Sequence, residues 1–169
     1  MKLVTEAAAW ERLVRSHEAA LYRLARAILR HEEDARDAVQ DALGFAFRSP
    51  AELDPASRVD LWLRRIVLNR SRDVLRRRKV RRAAAEELRR MPEASPLRDP
   101  VSDGEDRARI LRAISLLPEE FREVLVLHLI EDRPYPELAE ILDLTVNAVR
   151  IRVHRGLAIV RQRVKESDA

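Results

Sequence analysis

The sequence predicts an all-α fold of two small helical domains joined by a flexible linker, and three observations carry that expectation. Charged residues make up 37% of the 169-residue chain and aromatic residues only 4%, a balance that suits solvent-laced helices and not a sandwich or barrel. Glycine occurs only as Gly44, Gly104 and Gly156, and there are no strongly β-branched runs. Apolar residues recur with a helical period, and at 46% hydrophobic content they suffice to bury real cores.

Leu21, Leu24, Ala25, Ile28 and Leu29 fall at the i, i+3, i+4, i+7, i+8 spacing of an amphipathic helix. The residues His31, Glu32, Glu33 and Asp34 then punctuate the chain. A second helix from about Asp34 to Phe47 turns Ala35, Ala38, Val39, Ala42, Leu43 and Ala46 inward, with acids at its start where the macrodipole favours them. Its outer face carries Asp37, Gln40 and Asp41. A loop with Ser49, Pro50, Asp54 and Pro55 leads to a third helix, from about Arg58 into the basic tract that ends at Arg82. Trp62 on that helix is assigned to the core beside Leu63 and Ile66 in preference to base stacking, because it lies near their helix face.

These elements form a first domain, residues 1–82. Pro92, Pro96, Pro100 and Gly104 break any continuous helix beyond a short run at 83–90, so residues 83–106 read as the linker. The second domain spans 107–169. Its helix over 107–117 stops before Pro118, a good first-turn residue for the next helix, PEEFREVLVLHLIE. A tight helix pair follows: about Pro136 to Leu142, then a helix opened by Thr145 as N-cap and running to about Val164.

The net charge of +4 hides a segmental pattern. Residues 1–63 hold nine basic and eleven acidic residues, whereas 64–90 hold twelve and three. Residues 91–143 hold six and thirteen, and 144–165 hold six and none. Two basic elements, each following an acidic stretch, point to two polyanion contacts on one chain, with solvated helix faces as the plainer alternative.

Several chemistries are excluded. With no cysteine there is no disulfide framework, cysteine nucleophile or Cys-ligated metal. Three isolated glycines make no phosphate-cradling loop. His17, His31, His128 and His154 lack ligand spacing, so no metal or cofactor is expected. The start of the chain carries Glu6 and Glu11 through its apolar stretch, unlike a signal peptide, and no apolar run approaches the roughly 20 residues of a membrane span. A cytoplasmic protein is expected.

Two helices joined by the short turn Asp143-Leu144, the second basic on its outer face, form a candidate helix-turn-helix. At about 100° per residue, Val149, Val153, Leu157, Val160 and Val164 make a buried stripe, while Asn147, Ile151, His154 and Arg155 point the other way, flanked by Arg150 and Arg152. That set suits a major groove: arginine bonds guanine bidentately, asparagine reads adenine, an apolar side chain packs on a thymine methyl, and the other cations hold phosphates. A plain basic surface helix is the alternative.

The stretch LPEEFREVLVLHLIEDRPYPELAEILDLTVNAVRIRVHRGLAIVR resembles region 4 of bacterial sigma factors, and YRLARAILRHEEDARDAVQDALGFAF followed by LWLRRIVLNRSRDVLRRR resembles sigma region 2. The resemblance covers about residues 11–82 and 107–165, and the absence of large extra regions is similar to the extracytoplasmic-function (ECF) group of the sigma-70 family. It implies a non-enzymatic sigma factor that binds core RNA polymerase, directs it to specific promoters and assists melting. Asp37, Gln40 and Asp41 match the surface that docks on the β′ clamp, and helix solubility is the alternative. The loop from Arg48 to Arg58 matches the segment that captures an unstacked minus-ten base. Asn69 matches a position facing that DNA, with Arg64, Arg65, Arg72, Arg76 and Arg77 as candidate backbone contacts. Thr145, Asn147, Arg150, Ile151, Arg152, His154 and Arg155 are the implied minus-thirty-five contacts. Implied partners are core polymerase, through β′ clamp and β flap, promoter DNA, and an anti-sigma factor.

Three positions depart from the family pattern. Asp143 stands where the turn usually has glycine, Pro134 replaces the usual Ser or Thr cap so that Asp132 or Glu137 is expected to take over, and Ile151 replaces a small hydroxyl residue. Two rival functions are a stand-alone helix-turn-helix repressor, which leaves the first domain unexplained, and an enzyme acting on nucleic acid, which lacks a carboxylate or histidine constellation.

Overall fold

The computed structural model describes residues 2–48, 58–86 and 105–166, and the chain divides into two compact units, Met1–Met91 and Pro92–Ala169. Among the described residues all regular structure is helical.

The first unit packs α1 (Lys2–Leu29), α2 (Glu32–Arg48) and α3 (Val59–Glu86) against one another. Its core is Leu21, Leu24, Ala25, Ile28 and Leu29 from α1, Ala35, Ala38, Val39, Ala42 and Ala46 from α2, and Leu61, Leu63, Ile66, Val67 and Leu68 from α3. The small residues of α2 let it lie close to its neighbours. Trp62 is half-buried, flanking that core.

The tight connection between α1 and α2 depends on Arg30, which takes a left-handed φ of 57° and ends α1. His31 then caps α2: its Nδ1 accepts from the Asp34 amide at 3.4 Å, and Glu32, Glu33 and Asp34 fill the first turn. Arg78, well down α3, closes this corner by pairing with Asp34 and donating to the Leu29 carbonyl at 3.1 Å. Arg70 lies over the Phe45 ring, 5.3 Å from its centroid, and ties α3 to α2.

Two boundaries differ from the sequence expectation. Helix α3 runs on to Glu86, so the short helical run expected from 83 begins as a continuation of α3, and α4 begins at Glu105, so 105–106, expected as linker, are helical. Three consecutive alanines, the strongest helix formers, extend α3 past the basic tract. The remainder of the expected linker and the loop over 49–57 lie outside the described residues.

The second unit comprises α4 (Glu105–Ser115), α5 (Glu119–Leu125), a π-helical turn (Val126–Ile130), α6 (Tyr135–Leu142) and α7 (Val146–Glu166). Pro118 sits at the N-cap of α5, one position earlier than expected, and its carbonyl accepts from Phe121 and Arg122. The single helix expected over this stretch instead widens at Val126, where the Glu131 amide reaches back five residues to the Val126 carbonyl at 3.1 Å. Ile114, Leu117, Val124, Leu125, Val126, Leu127, Leu138, Ile141, Leu142, Val149, Val153 and Val160 make the core. Arg163 donates to the Leu116 carbonyl at 3.2 Å and Arg109 to the Val164 carbonyl at 3.4 Å, fastening the end of α7 to α4 and the turn that follows it.

Capping before α6 also differs. The N-cap is Pro134 with no side-chain hydrogen bond; Asp132 is used in a left-handed turn at φ 51° and Glu137 pairs with Arg133 at 2.9 Å. Pro136 in the first turn has no amide, so one fewer donor needs a cap.

Candidate nucleic-acid and polymerase interfaces

The turn between α6 and α7 is built by local chemistry. Asp143 takes φ 58°, ψ 51°, a left-handed conformation that Asp tolerates better than most side chains, and the Leu144 amide then reaches the Ala139 carbonyl at 2.9 Å. Thr145 is the N-cap of α7, its Oγ1 accepting from the Ala148 amide at 3.2 Å.

Helix α7 is seated on α5 at Gly156. A Cβ there would stand 3.1 Å from Leu125 Cδ1 and 3.2 Å from Leu125 Cγ, so the absent side chain is what allows the approach. Val149, Val153 and Val160 are buried on either side of this contact, with Leu157 and Val164 half-buried at its margins.

The opposite face is open. Asn147, Arg150, Ile151, His154 and Arg155 are all exposed and, at about 100° per residue, fall within a sector of about 140°. Arg161, Gln162 and Lys165 continue the same face toward the C-terminus, which the seven-residue recurrence from His154 and Arg155 could have revealed. Arg152 lies on the flank, half-buried, with its Nε 3.8 Å from Glu120 Oε2.

In the first unit Arg58, Arg65, Asn69, Arg72 and Arg76 share one face of the α3 stretch. They fall within a sector of about 60°, and the exposed Lys79, which sequence reasoning missed, lies at its edge. Arg72 donates to Asn69 Oδ1 at 3.2 Å, and Arg76 pairs with Asp73 at 3.4 Å. Arg77, exposed, stands about 80° from Asn69 around the helix and donates to the Asp73 carbonyl.

Arg64 overturns its assignment to DNA. It is 5% exposed, donates to the Asp60 carbonyl at 3.0 Å and lies 3.6 Å from the Asp60 carboxylate. Its helical neighbours Leu61, Val67, Leu68 and Ser71 are all buried, so this cation belongs to the interior of the bundle. The same spacing, read against the apolar residues, was the signal that could have found it.

On α2, Asp37, Gln40 and Asp41 are exposed on one face, joined by exposed Glu33 one turn earlier. At the end of that helix Phe47 is 58% exposed and its ring lies 5.6 Å from that of Trp10, an aromatic pair that sequence reasoning did not single out. Arg48 is exposed beside it. Among the described residues no three His, Cys, Asp or Glu side chains are grouped to hold a metal ion, and no helix is long and apolar enough to cross a membrane.

The Sigma-70 region 2 family model matches residues 13–82 and the Sigma-70, region 4 model matches 107–160. The chain is 35% identical over 150 residues to the ECF RNA polymerase sigma factor SigE of Mycolicibacterium smegmatis, covering 87% of this chain and 58% of that one. It is 30% identical to the RNA polymerase sigma-E factor of Streptomyces coelicolor, covering 94% of this chain and 88% of the relative. The chain belongs to the ECF group of the sigma-70 family. The chain is also similar to the solved structure of the sigma factor CnrH in complex with the cytosolic domain of CnrY, with a TM-score of 0.70 at 32% identity over 96% of this chain and 91% of that one.

In this sigma factor the region 4 match takes in α6, the Asp143 turn and most of α7, and the region 2 match takes in the acidic face of α2 together with the basic face of α3. Sigma-70 factors are regulatory and non-catalytic as a family.

Proposed function

We propose that this ECF sigma factor binds core RNA polymerase, directs it to specific promoters and assists melting there, leaving bond-making chemistry to the polymerase. The observation that carries the proposal is the joint occurrence of regions 2 and 4 in the family's order, each on a unit with an exposed face of suitable charge. A stand-alone repressor needs only the second unit.

In this reading Asp37, Gln40 and Asp41 dock on the β′ clamp and the second unit meets the β flap. Arg48, Arg58, Arg65, Asn69, Arg72, Arg76 and Arg77 contact the minus-ten region, where cationic backbone contacts offset an unstacking cost of a few kcal/mol per step. Asn147, Ile151, His154 and Arg155 enter the minus-thirty-five major groove, with Arg150, Arg152 and Thr145 at its rim, where Arg150 holds a phosphate. An anti-sigma factor is a further partner, supported by the CnrH–CnrY complex. The site of action is the cytoplasm, where polymerase and promoter meet.

The deciding experiment mixes the chain with core polymerase and assays co-elution and transcription from a defined promoter. Co-elution with specific initiation is expected. A protein that occupies DNA but neither joins the polymerase nor starts a transcript is a repressor, and the proposal falls.

A further inference from the structure

We infer that Ile151 reads a thymine in the minus-thirty-five element through its 5-methyl group. This rests on the promoter reading above and adds a specificity-determining residue to it. Ile151 is 44% exposed and stands in the middle of the open face of α7, one helical turn from Asn147 on one side and from His154 and Arg155 on the other. The other large exposed apolar side chain of this helix, Val146, is on its first turn and about 140° away around the axis. Ile151 is therefore the one large apolar side chain on the open face, set among polar readers and too small by itself to dock a protein partner.

Local structure gives no reason for it. Isoleucine is a poorer helix former than the arginines beside it, and its side chain stays hydrated in the free protein. A groove supplies the reason. Isoleucine has no donor or acceptor, and of the four bases only thymine presents an apolar group on its major-groove edge. Opposite a cytosine amino group or a guanine carbonyl the same side chain strips water and returns no hydrogen bond, so those bases are penalised. A β-branched side chain on a helix also holds essentially one rotamer, which presents its methyl groups at a fixed place with little ordering cost.

The test uses the full sigma factor assembled with core polymerase and a duplex pool randomised over about ten base pairs at the minus-thirty-five position. Each thymine of the enriched sequence, on both strands, is then replaced by deoxyuridine, which removes the methyl group and nothing else. For the wild-type protein one such replacement is expected to weaken binding about fourfold, the factor for one buried methyl-sized group. In Ile151→Ala the same replacement should change binding by less than about 1.5-fold, because the partner of the methyl is already gone. Circular dichroism checks that the exposed substitution leaves the helices intact. Enrichment of a sequence in which every deoxyuridine has equal effect on the two proteins overturns the inference and leaves the sigma-factor reading standing, as does an enriched element with no thymine on either strand. A pool that shows no enrichment overturns both.

Discussion

Gly156→Ala measures how tightly α7 is held against α5. Helix propensity alone favours alanine over glycine by about 1 kcal/mol. Against that, the new Cβ would lie 3.1 and 3.2 Å from Cδ1 and Cγ of Leu125 and 3.4 Å from Phe121 Cβ, and Leu125 is completely buried, so its side chain has to give by a few tenths of an ångström inside a packed core. Overpacking of this kind costs about 1–3 kcal/mol, so the variant should be destabilised by roughly 1 kcal/mol net. In a Leu125→Ala background the two closest atoms are absent. That background itself loses about 2–5 kcal/mol, but adding Gly156→Ala to it should now stabilise by about 1 kcal/mol, reversing the sign. Urea unfolding reads this cleanly because both tryptophans, Trp10 and Trp62, lie in the first unit. Tryptophan fluorescence should stay put while the part of the far-ultraviolet dichroism belonging to the second unit moves. An excluded osmolyte keeps the weaker backgrounds folded at the start of the titration. Gly156→Ala stabilising in both backgrounds would refute the close approach of the two helices.

Four further outcomes are expected. Asp37→Lys with Asp41→Lys should weaken capture by core polymerase without loss of helical dichroism, since both side chains are exposed; undiminished capture of the folded double variant removes the clamp assignment. Arg78→Ala breaks the contacts to Asp34 and to the Leu29 carbonyl and should cost about 1–2 kcal/mol in the tryptophan-reported transition, whereas Arg76→Ala, on an exposed pair with Asp73, should stay within about 0.5 kcal/mol. Arg155→Ala should lose about 1–3 kcal/mol of promoter binding in a base-dependent way, while Arg150→Ala should weaken all sequences alike and flatten the salt dependence; equal, sequence-independent losses from both would contradict the chosen reading face. Inserting about 5 bp between the two promoter elements turns one by half a helical turn and should abolish transcription, because the proposed function seats both units on one rigid polymerase; activity that survives the insertion contradicts that seating.

Much of this architecture was legible in the sequence. The periodic apolar residues of α2 and α7 identify the buried faces, and Thr145 marks the start of α7 because a threonine before an apolar-periodic stretch has one economical use, as a cap. Asp143 was also readable, as a residue able to turn left-handed where glycine is usual. The π turn was not, because VLHLI offers apolar side chains on nearly every side and no period distinguishes four-residue from five-residue hydrogen bonding. Arg64 misled because it was grouped with the neighbouring arginines as a backbone contact implied by the resemblance, without regard to the angle at which each one leaves the helix. The capping before α6 misled for a different reason: Pro136 removes one donor, and with it part of the need for the acceptor expected from Asp132 or Glu137. The outward faces of α2, α3 and α7 were legible as faces, but what each of them touches depends on molecules outside the chain.

The widened turn at Val126–Ile130 has a consequence for how this gene can change. A π turn carries one residue beyond the α-helical count, so loss of one codon there can be taken up by reverting to ordinary four-residue bonding ahead of α6. In α7 no such slack exists. A single-codon insertion between Thr145 and Asn147 would swing Asn147, Arg150, Ile151 and Arg155 by about 100° relative to the cap, turning the reading side chains toward the flank while Val149 and Val153 leave the core. Length variation among descendants of this sequence should therefore collect before the helix-turn-helix and be absent within its second helix.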